Sequence, residues 1–415
     1  PPSTFPERVE PIGRPQELAE RLTGAEIIMK LIEERKKGIN ETVEATAAAM
    51  SLDVATSPGA GSRCSVIDFA KISTSMVCGA PLSSPCFDRD RCRTRAPLVY
   101  VYDDTCSLAP SSALPPSNES LMLSHSWREA ARNAGVLAEH YDEACLFISI
   151  NKLIYRPPCA TSSPLWNAGS NHVMVDLTDR TRDAKPEIVD SLAMDASANM
   201  LSCYYRSGYD FSVPLRHKLD SRNLTDVAPW EREYFATVKG NLYLSGDGVH
   251  ERLSLVPLHS EPDGVVVALN CFELHDEHLL PQNVEFCNAL NETSARHEFA
   301  DLMNTTFGLV PAGRSPATYR LAEVMSAGAI PVFVNRDYVR PFPERVDWSS
   351  FSFTFSPEEV GRFMMETLRA VSPEVLWEMQ GRSLEAFLDV FGEKPGYNRI
   401  AGVVIEELVR RVGYH

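Results

Sequence analysis

The chain has 415 residues, 40 Lys and Arg against 56 Asp and Glu, and a formal net charge of −16. That length holds two or three domains with ample core material, and the acidic balance argues against a general nucleic-acid binder. No apolar run reaches the ~18–20 residues that a membrane span needs, the longest being GVVVALNCF (264–272) and IAGVVIEELV (400–409).

Residues 1–14 are Pro-rich and read as irregular. Over 15–50 the pattern is helical, and Leu18, Leu22, Ala25, Met29 and Ile32 follow a 4-3-4-3 spacing. The seam covers about two heptads, so it suits a dimerising stem or a helix packed on its own domain. Residues 51–95 hold Ser, Gly, Pro and four of the ten cysteines, which reads as a loop-rich, disulfide-stapled segment. Asp88-Arg89-Asp90 lies there with no strand before it and reads as a solvated turn.

PLVYVYD (97–103) is an apolar strand, followed by a Pro/Ser loop over 107–119 and a helix over 126–139. CLFISI (145–150) and HVMVDL (172–177) are further strands, 185–202 reads as helix, and YDFSVPL (209–215) as another strand. Asp103, Asp176 and Asp179 stand at or just past strand ends, where ligands enter open α/β sheets. They are the candidate general bases by placement. A second α/β series starts near 234, with strands over 235–239 and 242–245 leading into Gly246-Asp247-Gly248 and Arg252. On its own that turn is a weak signal and reads more often as a plain turn than as a site. Val265–Leu269 is a strand, 294–304 a helix, and 357–371, 373–391 and 397–413 are closing helices.

Residues 306–348 carry the strongest pattern. Thr306–Pro311 and Ala329–Val334 are short apolar strands, and between them Leu321, Val324, Met325 and Gly328 share one helix face. Ser315-Pro316 predicts the helix start and Gly328 its left-handed stop. The two strands of such a βαβ unit are parallel. Free N–H groups over 315–318, with Arg314 and Arg320 beside them, suit a diphosphate, and Glu323 suits a ribose diol. An amphipathic helix with a surface Arg–Glu pair fits the same spacing.

Ten cysteines and five Asn-x-Ser/Thr sequons (Asn40, Asn118, Asn223, Asn291, Asn304) point toward the secretory pathway. No Cys/His cluster has structural zinc spacing.

CFDRDRC (86–92), VYVYD (99–103), DEACLFIS (142–149), LWNAGSNHVMVDL (165–177), YDFSVPL (209–215), KGNLYLSGDGVHER (239–252) and NTTFGLVPAGRSPATYR (304–320), with the LAEVMSAGAIPVFVNRDYVRPFPERVDW that follows, resemble the exostosin-type glycosyltransferases in order and spacing. The resemblance covers about 78–390. It implies an α/β fold of GT-B type, in which two Rossmann-like domains face a cleft. The division it suggests is 1–75 as a helical and loop stem, 76–233 as the acceptor-side domain, 234–392 as the nucleotide-sugar domain and 393–415 as a C-terminal helix.

The activity it implies is inverting transfer from a nucleotide-sugar, expected to be a UDP-sugar, to a glycan or glycoprotein, with no cofactor and no metal required. By position, Gly313, Arg314, Ser315 and Arg320 fall around the diphosphate and Glu323 at the ribose. Gly246 and Arg252 fall at the start of the second domain, and Asp337 on an acidic position. His172 matches a recurring histidine that could equally order a strand end. Ala312 and Ser315 stand where relatives carry arginines, which weakens the case for an acidic donor sugar. Gly308 and Ala329 replace a cysteine pair. The same matching implies disulfides Cys92–Cys145, Cys271–Cys287 and Cys78–Cys86. The implied partners are the donor, the acceptor and a second glycosyltransferase in a homo- or heterodimer. The implied setting is the Golgi or ER lumen, with membrane contact only through an anchor outside this chain, or secretion. The competing reading is a non-catalytic subunit that stabilises an active enzyme.

Overall fold

The computed structural model describes residues 86–93, 98–102, 118–151, 159–177, 191–216, 224–243, 248–272, 281–313, 315–335, 337–393 and 396–412. The stem expected over 1–75 lies outside them. The helices are α1 (Arg89–Arg93), α2 (Asn118–Asn133), α3 (Val249–Leu255), α4 (Pro281–Arg296), α5 (Arg320–Ser326), α6 (Arg362–Arg369), α7 (Pro373–Val390) and α8 (Asn398–Val412). The strands are β1 (Val99–Val101), β2 (Leu146–Asn151), β3 (His172–Asp176), β4 (Met194–Ser197), β5 (Phe211–Ser212), β6 (Tyr234–Tyr243), β7 (Val265–Phe272), β8 (Thr305–Pro311), β9 (Ile330–Val334) and β10 (Phe353–Phe355).

They form two five-stranded sheets, ordered β1-β2-β3-β4-β5 and β10-β9-β8-β6-β7. Every pairing within them is parallel. Parallel sheets bury both faces, so their strands read as nearly continuous apolar runs. Every residue of β3, β8 and β9 is buried. Two parallel α/β sheets in series are the GT-B arrangement that the resemblance implies.

Several elements differ from the sequence reading. The helix expected over 185–202 gives way to β4, whose four residues are all buried between β3 and β5. Met and Ala favour helix, but a central place in a sheet overrides that weak local preference. The helix expected over 126–139 runs instead from Asn118 to Asn133. Gly135, at φ 71°, ends it, and Val136–Ala138 then bonds alongside β1. The helix expected over 294–304 is the tail of α4, followed by a short turn at Asp301–Met303. The one expected over 357–371 splits into a turn capped by Ser356 and Glu359 and then α6. The strand expected over 209–215 is paired only at Phe211–Ser212. Asp88 belongs to a start of helix: its Oδ1 accepts the Arg91 N–H at 3.1 Å and so caps the exposed α1.

Cys92–Cys145 ties α1 to the residue before β2, and Cys271–Cys287 ties β7 to α4. Both are pairs the resemblance implied. Cys86 and Cys203 are disulfide-bonded as well, while Cys78 lies outside the described residues. Two sequons are built into the fold. The Asn291 side-chain carbonyl accepts the Cys271 N–H at 2.8 Å, and buried Thr306, of the Asn304 sequon, donates to Pro229 O at 2.6 Å.

The sheets meet along residues 199–212 and 337–344. Leu201 and Tyr338 form an antiparallel bridge. Ser202 N donates to Asp337 O at 2.9 Å, Val339 N to Met200 O at 3.0 Å and Phe342 N to Ser212 O at 2.8 Å. The chain closes by sending α8 back over α2 of the first sheet, where Arg411 Nη1 donates to Tyr209 O at 2.9 Å.

Candidate functional site

The second sheet has a switch point. From β6 the chain moves outward to β7, then returns to place β8 on the other side of β6. Loops leaving two such neighbours diverge, and the crevice at their C-terminal ends is where open α/β sheets take ligands. Here the two exits touch. Gly248 has φ 79°, and a Cβ added to it would lie 1.9 Å from Gly313 O and 2.8 Å from Ala312 O. Only glycine permits both that conformation and that approach. Arg252, on α3, fastens the same point. Its Nε donates to Ala312 O at 2.8 Å and its Nη1 to Asn241 O. A Cβ on Gly240 would stand 2.9 Å from that Nη1, so β6 passes close to the guanidinium there.

The loop after β8 differs from the sequence reading. Ser315-Pro316 forms a bend, and α5 begins at Arg320 and has seven residues. Gly313 N donates to Ser315 O at 2.9 Å, and the first helical bond runs from Glu323 N to Tyr319 O at 3.3 Å. The fixed φ of Pro316 suits a bend as well as a first helical turn. The Ala317 N–H, which a helix start would leave free, donates to Asn199 Oδ1 of the first sheet's side at 3.4 Å. A tight bend, rather than the N-terminus of a long helix, therefore lies at the crevice. Ser315 is fully buried and its Oγ has no hydrogen-bond partner. Gly328 closes α5 at φ 67°, as expected, with Ala329 N bonded to Val324 O at 3.1 Å. Beneath α5 lies Gly308 of β8, where an added Cβ would fall 2.3 Å from Val324 Cγ2.

Arg320 is 4% exposed. Its Nη2 donates to Thr237 O at 3.2 Å, its Nη1 approaches Met303 Sδ at 3.3 Å, and its Nε has no partner. Glu323 Oε2 is 3.9 Å away, with a side chain 15% exposed. Burial pulls the Arg320 pKa down to about 10; Glu323 opposes this, and the charge of Arg252 adds to it. The two buried guanidinium groups thus repel each other, and Glu323 offsets part of that cost. Arg320 bonds to Thr237 of β6, and Arg252 bonds to Asn241 O of β6 and Ala312 O of the loop after β8, so both also hold the frame of the crevice.

Asp176 ends β3, is buried, and its carbonyl accepts Ala198 N at 3.0 Å. The next residue is Asn199, so the Asp176 strand end and the 312–319 loop are two hydrogen-bond steps apart. Asp337 is half-buried in the strap that joins the sheets. Asp103, Asp179, Gly246 and Arg314 lie outside the described residues. His172 is fully buried at the start of β3 and stacks on Phe147, with ring centroids 4.7 Å apart. Its Nδ1–H donates to Ser170 O at 2.9 Å, so Nε2 accepts the Tyr102 hydroxyl at 3.1 Å. Burial lowers its pKa to about 4. This is the strand-ordering role. The sequence reading passed over Gly248, visible only as the second glycine of a common turn. Asn199 has no local signal at all, its partner being 118 residues away.

A family profile described as the Exostosin GT47 domain matches residues 98–371. Exostosin-1 of Drosophila melanogaster is 29% identical over 339 residues, covering 72% of this chain and 43% of the fly protein. Exostosin-1c of Danio rerio is 26% identical over 294 residues, covering 64% of this chain and 37% of the fish protein. The chain therefore spans less than half the length of the curated relatives it matches. Among solved structures, an E. coli trehalose-6-phosphate structure bound with UDP-2-fluoro glucose shares 8% identity at a TM-score of 0.37, over 72% of this chain and 80% of that one. A Rickettsia africae glycosyltransferase shares 8% at 0.35, over 73% and 85%. Those two scores add nothing to the topology, but the profile covers most of the two-sheet body, both crevice loops included. The chain belongs to the exostosin GT47 family.

Proposed function

We propose that this chain is an inverting glycosyltransferase that moves a sugar from a nucleotide-sugar, a UDP-sugar by expectation, to a glycan or glycoprotein in the Golgi or ER lumen. The observation that carries the reading is the contact of Gly248 with Gly313 at the switch point, inside the region matched by the family. In this reading Gly246, Gly313, Arg314 and Ser315 surround the diphosphate. Arg252 and Arg320 supply positive potential from behind the loop, and Glu323 takes the ribose. Asp337 borders the cleft. Asp176 is the general base favoured by its place one hydrogen-bond step from Asn199; Asp103 and Asp179 are the other candidates. The base takes the acceptor hydroxyl proton as its oxygen attacks the anomeric carbon. The bond to the diphosphate oxygen breaks on the opposite side, and the leaving charge is met by fixed donors. No metal is required for these steps. The buried, neutral Ala312 and Ser315 favour a neutral donor sugar.

One observation favours a second reading, a non-catalytic subunit. The hydrogen bonds of Arg252 and Arg320 go to protein atoms, a use that would persist without a donor. A thermal-shift panel of UDP- and GDP-sugars, followed by transfer assays with and without EDTA, separates the two. A ligand at a hundred times its Kd adds about 2.7 kcal/mol, so the enzyme reading expects an upward shift with one nucleotide class. It also expects Arg314→Ala to abolish that shift at an unchanged basal Tm, and transfer to survive EDTA. Silence toward every nucleotide would leave the subunit reading.

A further inference from the structure

The segment Ala198–Ser202, just past β4, is the part of the first domain that reaches the crevice of the second. Three hydrogen bonds join it to the two loops that leave β8 and β9. Two of them are main chain to main chain, Val339 N to Met200 O at 3.0 Å and Ser202 N to Asp337 O at 2.9 Å, and together they make the antiparallel Leu201–Tyr338 bridge. Both engage the loop after β9. The third engages the loop after β8, and there the first domain's partner is a side chain, Asn199, whose Oδ1 accepts the Ala317 N–H. Asn199 is itself held. Its N–H donates to Ser197 Oγ at 3.2 Å, its carbonyl accepts the Tyr204 hydroxyl, and only 2% of the residue is exposed.

We propose that Asn199 is a positioning residue that pins the 312–319 loop to the first domain and so sets its register against the Asp176 strand end. The inference rests on the glycosyltransferase reading for its effect on rate, but not for its effect on the loop. Ala317 lies two residues beyond Ser315, whose buried hydroxyl is unpartnered, and its carbonyl would sit 3.0 Å from a Cβ on Gly313. Holding Ala317 therefore holds the whole turn. Asn199 also follows Ala198, whose N–H is bonded to Asp176 O. One short segment thus touches both the strand end that carries the candidate base and the loop assigned to the diphosphate. Displacing a group by about 1 Å at a reacting centre costs on the order of a hundredfold in rate. The amide need not touch the donor to matter.

Asn199→Ala removes the side-chain bond to Ala317 and leaves the two main-chain bonds of the Leu201–Tyr338 bridge intact, so the fold persists. Asn199→Asp keeps the accepting oxygen. Hydrogen–deuterium exchange of the 315–320 amides is measured in the parent and both variants, with 330–334 of β9 as the internal reference. Exchange at 315–320 is expected to rise about tenfold in Asn199→Ala, to return toward the parent in Asn199→Asp, and to leave β9 unmoved. Unchanged exchange in Asn199→Ala overturns the proposal, as does equal loosening of β9. Where the parent transfers sugar, kcat of Asn199→Ala falls about tenfold or more while the Kd of the bare nucleoside diphosphate stays within about threefold. A kcat within about twofold of the parent overturns the proposal. A parent that binds no nucleotide defeats the glycosyltransferase reading alone, because the exchange arm still decides the pinning.

Discussion

Burial sets the chemistry of single residues here more than neighbouring charge does. His172 is neutral because its ring is enclosed by Phe147, Trp166 and Tyr102. Its pKa falls from 6.5 to about 4 in the folded chain, burial being the largest cause. Between those values the unfolded state binds the extra proton, so stability rises with pH across that window and is lost as pH falls through it. The displacement is worth about 3 kcal/mol at its full extent. Tm is expected to drop steeply from pH 6.5 to 4, and the drop should be shallower in His172→Phe. Identical pH profiles in the two proteins would remove His172 as the cause. Arg320 follows the same rule in the other sense. It stays charged at neutral pH, but its pKa of about 10 records how poorly the core solvates it. That cost suits a cation whose field is needed near the crevice.

At the scale of elements, the βαβ unit is held by an absent side chain. β8 and α5 can close only because Gly308 offers no Cβ to Val324. Gly308→Ala is expected to destabilise the chain by about 1–3 kcal/mol through overpacking. Adding Val324→Ala should recover part of that loss, because the two positions are in contact and do not add independently. Denaturant titration of the two single variants and the double variant measures the coupling, and strict additivity would rule the contact out. The order of strand, helix and strand was legible from apolar spacing and from Gly328. The point at which α5 begins was not. Ser315-Pro316 carries a sound helix-start signal, but the Ala317 N–H is drawn to Asn199 on the other domain, and the first turn becomes a bend.

Among the described residues, the two sheets are joined by specific hydrogen bonds and ion pairs. The strap at 337–344 crosses between the sheets, and Phe342 sits in it at φ 48°, a conformation a bulky side chain adopts only under constraint. Its N–H bond to Ser212 and the Arg345 and Val346 bonds to its carbonyl supply that constraint. The disulfides act on the unfolded chain. Closing a separation of 53 residues at Cys92–Cys145 corresponds to roughly 4 kcal/mol, and 16 residues at Cys271–Cys287 to roughly 3 kcal/mol. Reduction with a thiol should lower Tm by several degrees, and Cys92→Ser with Cys145→Ser should account for much of the fall. A Tm that ignores reduction would contradict this. By itself the sequence determined the α/β class, the strands within 97–103, 145–150, 172–177, 306–311 and 329–334, and the family. Those follow from local periodicity and short motifs, which act within a few residues. Only the tertiary structure decided that 194–197 is a strand, that Arg252 and Arg320 bond inward, and that Asn199 meets Ala317. Each of these depends on burial or on a partner far along the chain, and no local pattern encodes either.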